Sequence, residues 1–331
     1  MQSFQIGKNE AGQRLDKFLH KFMPSAPNSF IFKMLRKKNI VLNEKKAEGK
    51  EILAVDDTVS FFFSDETFSK FSQIGSDTLD FTKPKSIPND YNKAYVTLQG
   101  ITIIYEDEDI LILNKPAGIL TQKAESDDFS LNEWMIGYLL QQEKMTEEAL
   151  LTFKPSVQNR LDRNTSGLVL CGVSLRGSQI LSHLIHDRTI KKVYLAIVKG
   201  KIDKPGILSG SLKKDEKTNK VIISDTKGKE IITSYKPISF GKDFTLLEIE
   251  LITGKTHQIR AHMASIGHPI LGDPKYGDIQ WNQIYKKKLG IKRQLLHAYR
   301  VEFPSMTEPF IKLSNQEWIA PLPDDIQEVI H

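Results

Sequence analysis

The chain has 331 residues, 40% apolar and 26% charged, an ordinary globular composition with length for one large domain or two smaller ones. Its formal net charge of +5 permits a nucleic-acid partner without requiring one. One cysteine (Cys171, in an apolar run) excludes an intramolecular disulfide, and no signal core or run of membrane-spanning length is present, so a cytoplasmic protein that engages no membrane is expected.

Residues 1–63 carry eleven Lys/Arg against seven Asp/Glu, a net +4 within the first fifth of the chain. Leu15, Phe18, Leu19 and Phe22 recur at i, i+3, i+4 and i+7, the stripe of an amphipathic helix, with Arg14, Lys17 and Lys21 on a neighbouring face. Pro24 ends this helix, and after Pro27 either Asn28 or Ser29 can cap a second one. There Ile31, Met34 and Leu35 lie on one side, and Lys33, Arg36 and Lys37 on another. Strand-like runs follow at Ile40–Leu42 and Val59–Phe63. Two short helices with basic faces suit the tracking of phosphates, although such faces are also commonly no more than solvated surface.

Residues 64–99 change texture, with Ser, Asp, Lys, Pro and Asn dominant, and are read as a linker. Residues 100–331 make the large domain. Ile101–Ile104 and Ile110–Leu113 predict a hairpin, helices are expected over Leu131–Gln142, Gly177–Asp187 and Thr256–Ile266, and Asp243–Leu251 reads as a core strand. Strands outnumber helices and do not alternate with them, so the class is α+β.

Several strings could carry chemistry. Asn114-Lys115-Pro116-Ala117-Gly118 turns at the end of a strand. In Asn159-Arg160-Leu161-Asp162-Arg163-Asn164-Thr165-Ser166-Gly167-Leu168, one carboxylate stands between two arginines just before an apolar strand, where the cations would favour its ionised form. Read locally, such a string is more commonly a surface ion network. Tyr194 and Ala196 share one face of the strand 191–200, where a ring packs in the core or offers a base a stacking platform. In Leu251-Ile252-Thr253-Gly254-Lys255-Thr256-His257-Gln258-Ile259-Arg260-Ala261-His262, Thr256 can cap a helix that carries His257 and Arg260 on one face. Two other readings of this string fail: Ile249 stands where a phosphate-binding loop needs glycine, and His257 and His262 lie five apart rather than the four of a zinc helix. His183 and His186 have no third ligand nearby and are read as ordinary surface or capping residues. Gly267–Gly277 is rich in turn formers and is read as shaping a cleft floor, without chemistry.

These strings together resemble the RluA-type family of RNA pseudouridine synthases. The motif H-R-L-D-x-x-T-S-G-L is matched at Arg160, Leu161, Asp162, Thr165, Ser166, Gly167 and Leu168, with Asn159 where histidine is usual. N-K-P-x-G, K-x-Y-x-A, L-x-T-G-R-x-H-Q-I-R-x-H and G-H-P-I-x-G-D-x-x-Y-G follow in order, with Lys255 where the family has its first arginine; the resemblance covers nearly the whole chain. It implies a pseudouridine synthase fold, α+β with a mixed, mainly antiparallel central sheet flanked by helices and loops, over 100–331. Residues 1–63 resemble the alpha-L RNA-binding module named after ribosomal protein four of the small subunit. That module marks members acting on large-subunit ribosomal RNA.

The resemblance further implies that Asp162 is the catalytic aspartate, Tyr194 the stacking tyrosine and Arg260 the ion-pair partner of the aspartate. Lys115, Lys192 and Lys255 fall at positions that contact the substrate, and Lys255 lacks the guanidinium fork of an arginine. Arg160 is a candidate to fill the gap left by an extruded nucleotide, and Arg14, Lys17, Lys33, Arg36 and Lys37 are candidates for contacts to RNA. The isomerisation needs no redox change, so neither a cofactor nor a metal is expected, and the enzyme is expected to act as a monomer on RNA. Two other classes remain: an RNA-binding or ribosome-assembly protein without activity, which would have no need of Asp162, Tyr194 and Arg260 together, and a glycosidase, which would need a second carboxylate.

Overall fold

The stripe Leu15, Phe18, Leu19 and Phe22 forms the helix Leu15–Phe22 and buries all four side chains to 2% exposure or less. The computed structural model describes residues 2–72, 90–147, 149–214, 221–224 and 229–331. In it the second helix is Asn28–Arg36. Pro27, with extended backbone, occupies its N-cap position, so Asn28 is already helical and the side-chain cap expected from Asn28 or Ser29 does not form. Both helices cover a four-stranded antiparallel sheet in the order Gln2–Gln5, Thr58–Phe61, Ile40–Leu42, Lys45–Lys46. Phe18, Phe22, Phe61 and Phe68 fill the space between, with Phe22 stacked on Phe61 at 5.4 Å between ring centroids. Such rings bury large apolar areas, which lets so small a sheet hold its own core.

The stretch read as a linker is helical at both ends. Asp65–Phe71, capped by Ser64, returns Phe68 to the N-terminal core, and Asp90–Thr97 packs on the helix Leu131–Gln141. Tyr91 and Tyr95 are the contacts; the close approach needs Gly137, where an added Cβ would meet the Tyr91 carbonyl oxygen at 2.2 Å. Residues 73–89 of the expected linker lie outside the described residues. The two parts of the chain also touch directly, where Thr152 donates a short hydrogen bond to buried Glu10.

The large sheet runs in the order Val221–Ser224, Gly206–Lys214, Lys229–Phe240, Phe244–Leu251, Lys191–Lys199, Leu296–Glu302, Ser166–Gly172, Ile110–Lys115, Thr102–Glu106. Two short strands, Glu317–Ile319 and Ser156–Val157, pair with Leu296–Glu302 and Ser166–Gly172. The junction of Leu296–Glu302 with Ser166–Gly172 is parallel and the other pairings are antiparallel, which is the mixed, mainly antiparallel α+β fold expected. Along Lys191–Lys199, Tyr194, Ala196 and Val198 face one core while Leu195 and Ile197 face another, the period-two division of a sheet covered on both sides.

At the parallel junction Gly167 has φ +110°, and a Cβ there would lie 2.2 Å from the Ala298 carbonyl oxygen. Glycine is therefore required where the chain leaves the Asp162 turn and enters the sheet.

Candidate active site

Asp162 sits in a turn that precedes the strand Ser166–Gly172, and the turn is tied down on every side. Thr121 Oγ1 accepts from the Leu161 amide (3.1 Å) and donates to the Leu161 carbonyl (2.8 Å). The Thr165 amide closes the turn onto the Asp162 carbonyl at 3.0 Å. The Gly118 amide and Lys115 Nζ both donate to the Arg163 carbonyl, and Arg293 Nη1 donates to that of Asn164. A carboxylate so held has few geometries open to it, which is the form preorganisation takes in a reactive group.

The cation that meets Asp162 comes from far along the chain. Arg260, on the helix Gln258–Ser265, donates through Nη1 to Asp162 Oδ2 at 2.7 Å. Its Nε and Nη2 form a fork onto both oxygens of Asp273, at 2.7 and 2.9 Å. Burial works against the charge of Arg260, but the bonds and field of Asp273, and then those of Asp162, raise its pKa above the ordinary guanidinium value. The Asp273 side chain is fully buried and also accepts the amides of Lys275 and Tyr276. The local expectation of an Arg160-Asp162-Arg163 network is thereby corrected: Arg160 is exposed, and Arg163 turns outward to Asp128 at 3.9 Å.

Asp162, Tyr194 and Arg260 line one open cleft, together with Arg160, Lys255 and His257. Tyr194 is 5% exposed; burial, and to a lesser degree the charge of Asp162, raise its pKa, so the phenol stays neutral. Arg160 and Lys255 are exposed at the rim.

The cap of the Arg260 helix differs from expectation. His257 rather than Thr256 takes the N-cap position, with left-handed φ of 55°. The cause is Gln258, whose Oε1 accepts the Lys255 amide and the Thr253 hydroxyl while its Nε2 donates to the Ile232 carbonyl and Thr233. These bonds fold the chain tightly before the helix and turn the His257 ring into the cleft. Its Nε2 lies 3.8 Å from Asp162 Oδ2 and its Nδ1 lies 3.1 Å from the Tyr276 hydroxyl.

Two lysines expected at the substrate are buried instead. Lys115 is fully buried and its Nζ donates to the carbonyls of Pro116, Ile119 and Arg163 at 3.0, 2.8 and 3.1 Å. All three ammonium protons are used, so none is left for RNA, and the residue braces the Asp162 turn from behind. Burial, and then Arg293, push its pKa down to about 7, with Asp162 acting in the opposite sense. Lys192 is 7% exposed and is not among the cleft-lining residues; burial and the charge of Arg188 lower its pKa. Of the N-terminal cations, Arg14 pairs with Asp16 at 2.7 Å, while Lys17, Lys33, Arg36 and Lys37 are exposed and form no ion pair among the described residues. Also among the described residues, no three His, Cys, Asp or Glu side chains cluster to hold a metal ion.

Asn159, the departure from the family motif, has a structural use. Its Oδ1 accepts the Leu170 amide at 2.7 Å and its Nδ2 donates to the Leu168 carbonyl at 3.3 Å, extending the pairing begun by Ser156–Val157. Asn159→Ala leaves a backbone N–H without a partner, and is expected to lower the unfolding free energy by about 1–3 kcal/mol. Urea titration measures this; an unshifted midpoint would show that the side chain stabilises nothing.

Sequence reasoning missed Asp273, His257 and Thr121. The signal for Asp273 was present in Gly272-Asp273-Pro274, but a turn-forming string gives no indication that its carboxylate is directed inward.

A family model described as RNA pseudouridylate synthase matches residues 109–265. The chain is 29% identical to ribosomal large subunit pseudouridine synthase C of Vibrio vulnificus, over 100% of this chain and 96% of that protein. It is 30% identical to ribosomal large subunit pseudouridine synthase D of Buchnera aphidicola (97% and 94% covered) and 30% identical to an uncharacterized RNA pseudouridine synthase of Mycoplasma genitalium (94% and 92%). The solved human RNA Pseudouridylate Synthase Domain Containing 4 aligns with a TM-score of 0.54 at 21% identity, over 73% of this chain and 95% of its own, a likeness of fold.

Proposed function

The chain belongs to the RluA-type family of RNA pseudouridine synthases, which are isomerases, and we propose that it converts uridine to pseudouridine in large-subunit ribosomal RNA with Asp162 as its essential residue. The observation that carries this reading is the 2.7 Å pair between Asp162 and Arg260 in a cleft that Tyr194 also lines. Isomerisation breaks the bond from N1 to C1′, rotates the uracil and joins C5 to C1′; C5 loses a proton and N1 gains one. A carboxylate beside the ribose can attack C1′ as a nucleophile or take a sugar proton as a base. Arg260, itself anchored by Asp273, donates to Asp162 Oδ2 and holds the carboxylate aimed at the sugar. Tyr194 offers its ring to the uracil. A uridine within a stack must be extruded to reach the cleft, at a cost of a few kcal/mol, and Arg160, exposed at the rim, fills the space it leaves.

The exposed cations Lys17, Lys33, Arg36 and Lys37 then serve residues 1–63 as an RNA-binding module that adds affinity by holding phosphates while the cleft reads one uridine. The names of relatives covered over nearly their full length favour large-subunit RNA as the substrate. Mapping pseudouridines in ribosomal RNA from a deletion strain tests this. Loss at one or a few clustered large-subunit positions is expected; an unchanged large-subunit map would reject the substrate assignment.

A further inference from the structure

The isomerisation ends on a proton transfer. Once C5 has bonded to C1′ it still carries its hydrogen. The C5–H bond must break so that its electron pair restores C5=C6, while the C6=N1 pair moves onto N1, which takes a proton. We propose that His257 is the base for this step, its Nε2 accepting the proton from C5.

Its position is the first argument. Nε2 lies 3.8 Å from Asp162 Oδ2 in the same cleft as Tyr194, and Nδ1 lies 3.1 Å from the Tyr276 hydroxyl. With the Nδ1 proton donated to that hydroxyl, the lone pair of Nε2 is directed into the cleft. Backbone conformation is the second argument. A φ of 55° lies in the left-handed region, which residues other than glycine adopt uncommonly. Helix packing alone does not call for an imidazole at such a point, and strain of this kind gathers at functional sites.

Elimination is the third. Among the other polar side chains that line the cleft, Arg160, Lys255 and Arg260 are hydrogen-bond donors without an acceptor for the C5 proton. Tyr194 stays a phenol through burial, and Asp162 is engaged with Arg260 and, in the proposed reaction, with the ribose. His257 is kept in its basic, neutral form. Burial lowers its pKa from the ordinary histidine value; Arg260 and Lys275 act in the same sense, and Asp162 and Asp273 oppose them without prevailing.

This inference rests on the isomerase reading above, and one experiment separates the two. Single-turnover conversion is followed on large-subunit RNA transcribed with protium or deuterium at C5 of uridine. The wild type is expected to make pseudouridine without a C5 isotope effect. His257→Asn, which tolerates the left-handed backbone, is expected to be about 100-fold slower and to show a primary C5 isotope effect. In His257→Gly, added imidazole should restore rate and remove the isotope effect. An unaltered rate in His257→Asn overturns the proposal, as does a slowed rate without the isotope effect or without response to imidazole. A wild type that makes no pseudouridine removes the isomerase reading itself.

Discussion

Asp162→Asn is expected to abolish tritium release from ribosomal RNA labelled at C5 of uridine, with a fall in rate of roughly 10,000-fold or more, while RNA affinity is kept. The substitution preserves volume and leaves an oxygen that can still accept from Arg260 Nη1, now 2.7 Å from Asp162 Oδ2, so the turn should fold as before. What disappears is the negative charge and with it both possible acts on the sugar, attack at C1′ and removal of a proton. The ties from Thr121, Lys115 and Arg293 reach the backbone of the turn rather than the Asp162 side chain, and they persist in the variant. Binding and chemistry are thus separable: filter binding should match the wild type where tritium release fails. Release within ten-fold of wild type would remove Asp162 from the chemistry, and the site would have to be sought elsewhere.

Much of this arrangement was legible in the sequence, because it depends on local pattern. The stripe of Leu15, Phe18, Leu19 and Phe22 marks an amphipathic helix, and the alternation around Tyr194 marks a strand, though not that both its faces are buried. The hairpin of Thr102–Glu106 and Ile110–Lys115 follows from its two apolar runs. Contacts between distant segments were legible only through resemblance. No spacing rule joins Arg260 to Asp162 across 98 residues, and the neighbouring Arg160 and Arg163 were the natural but mistaken partners. Lys115 illustrates a second limit: a lysine at a strand end reads as a surface cation, and only three converging carbonyls turn it into a buried brace. The helix at Asp90–Thr97 was hidden by weak amphipathicity, since it is fixed by Tyr91 and Tyr95 against Gly137 of another segment rather than by its own pattern. His257 was visible as a residue, but the left-handed turn that aims it depends on the Gln258 side chain reaching back to strand residues Ile232 and Thr233.

The second large effect is expected at Asp273, which touches no substrate in the proposed reaction. Its two oxygens hold the Nε and Nη2 of Arg260 at 2.7 and 2.9 Å, and its side chain is fully buried. Asp273→Asn replaces one acceptor of that fork with a donor facing a donor, and leaves the buried guanidinium with Asp162 as its one remaining carboxylate. Removing one partner of a buried pair costs about 3–5 kcal/mol, so a large fall in unfolding free energy at pH 7 is expected. The loss should depend on pH. Burial alone would raise the Asp273 carboxyl, but the bonds and charge of Arg260 and the amides of Tyr276 and Lys275 hold it below the ordinary carboxylate range. A group depressed on folding stabilises above its unfolded pKa, about 3.9, and that contribution fades as pH falls through the folded value. Wild type and variant should therefore converge in stability in acid and diverge towards neutrality. Where both are folded, Arg260 in the variant is free to leave its aimed position, and a loss of rate of about 100-fold without loss of RNA affinity is expected, since small misplacements in a site carry costs of that order. Equal unfolding midpoints at pH 7 would show that Asp162 alone suffices to hold Arg260, and a stability gap that stays constant into acid would show that the Asp273 charge is not its source.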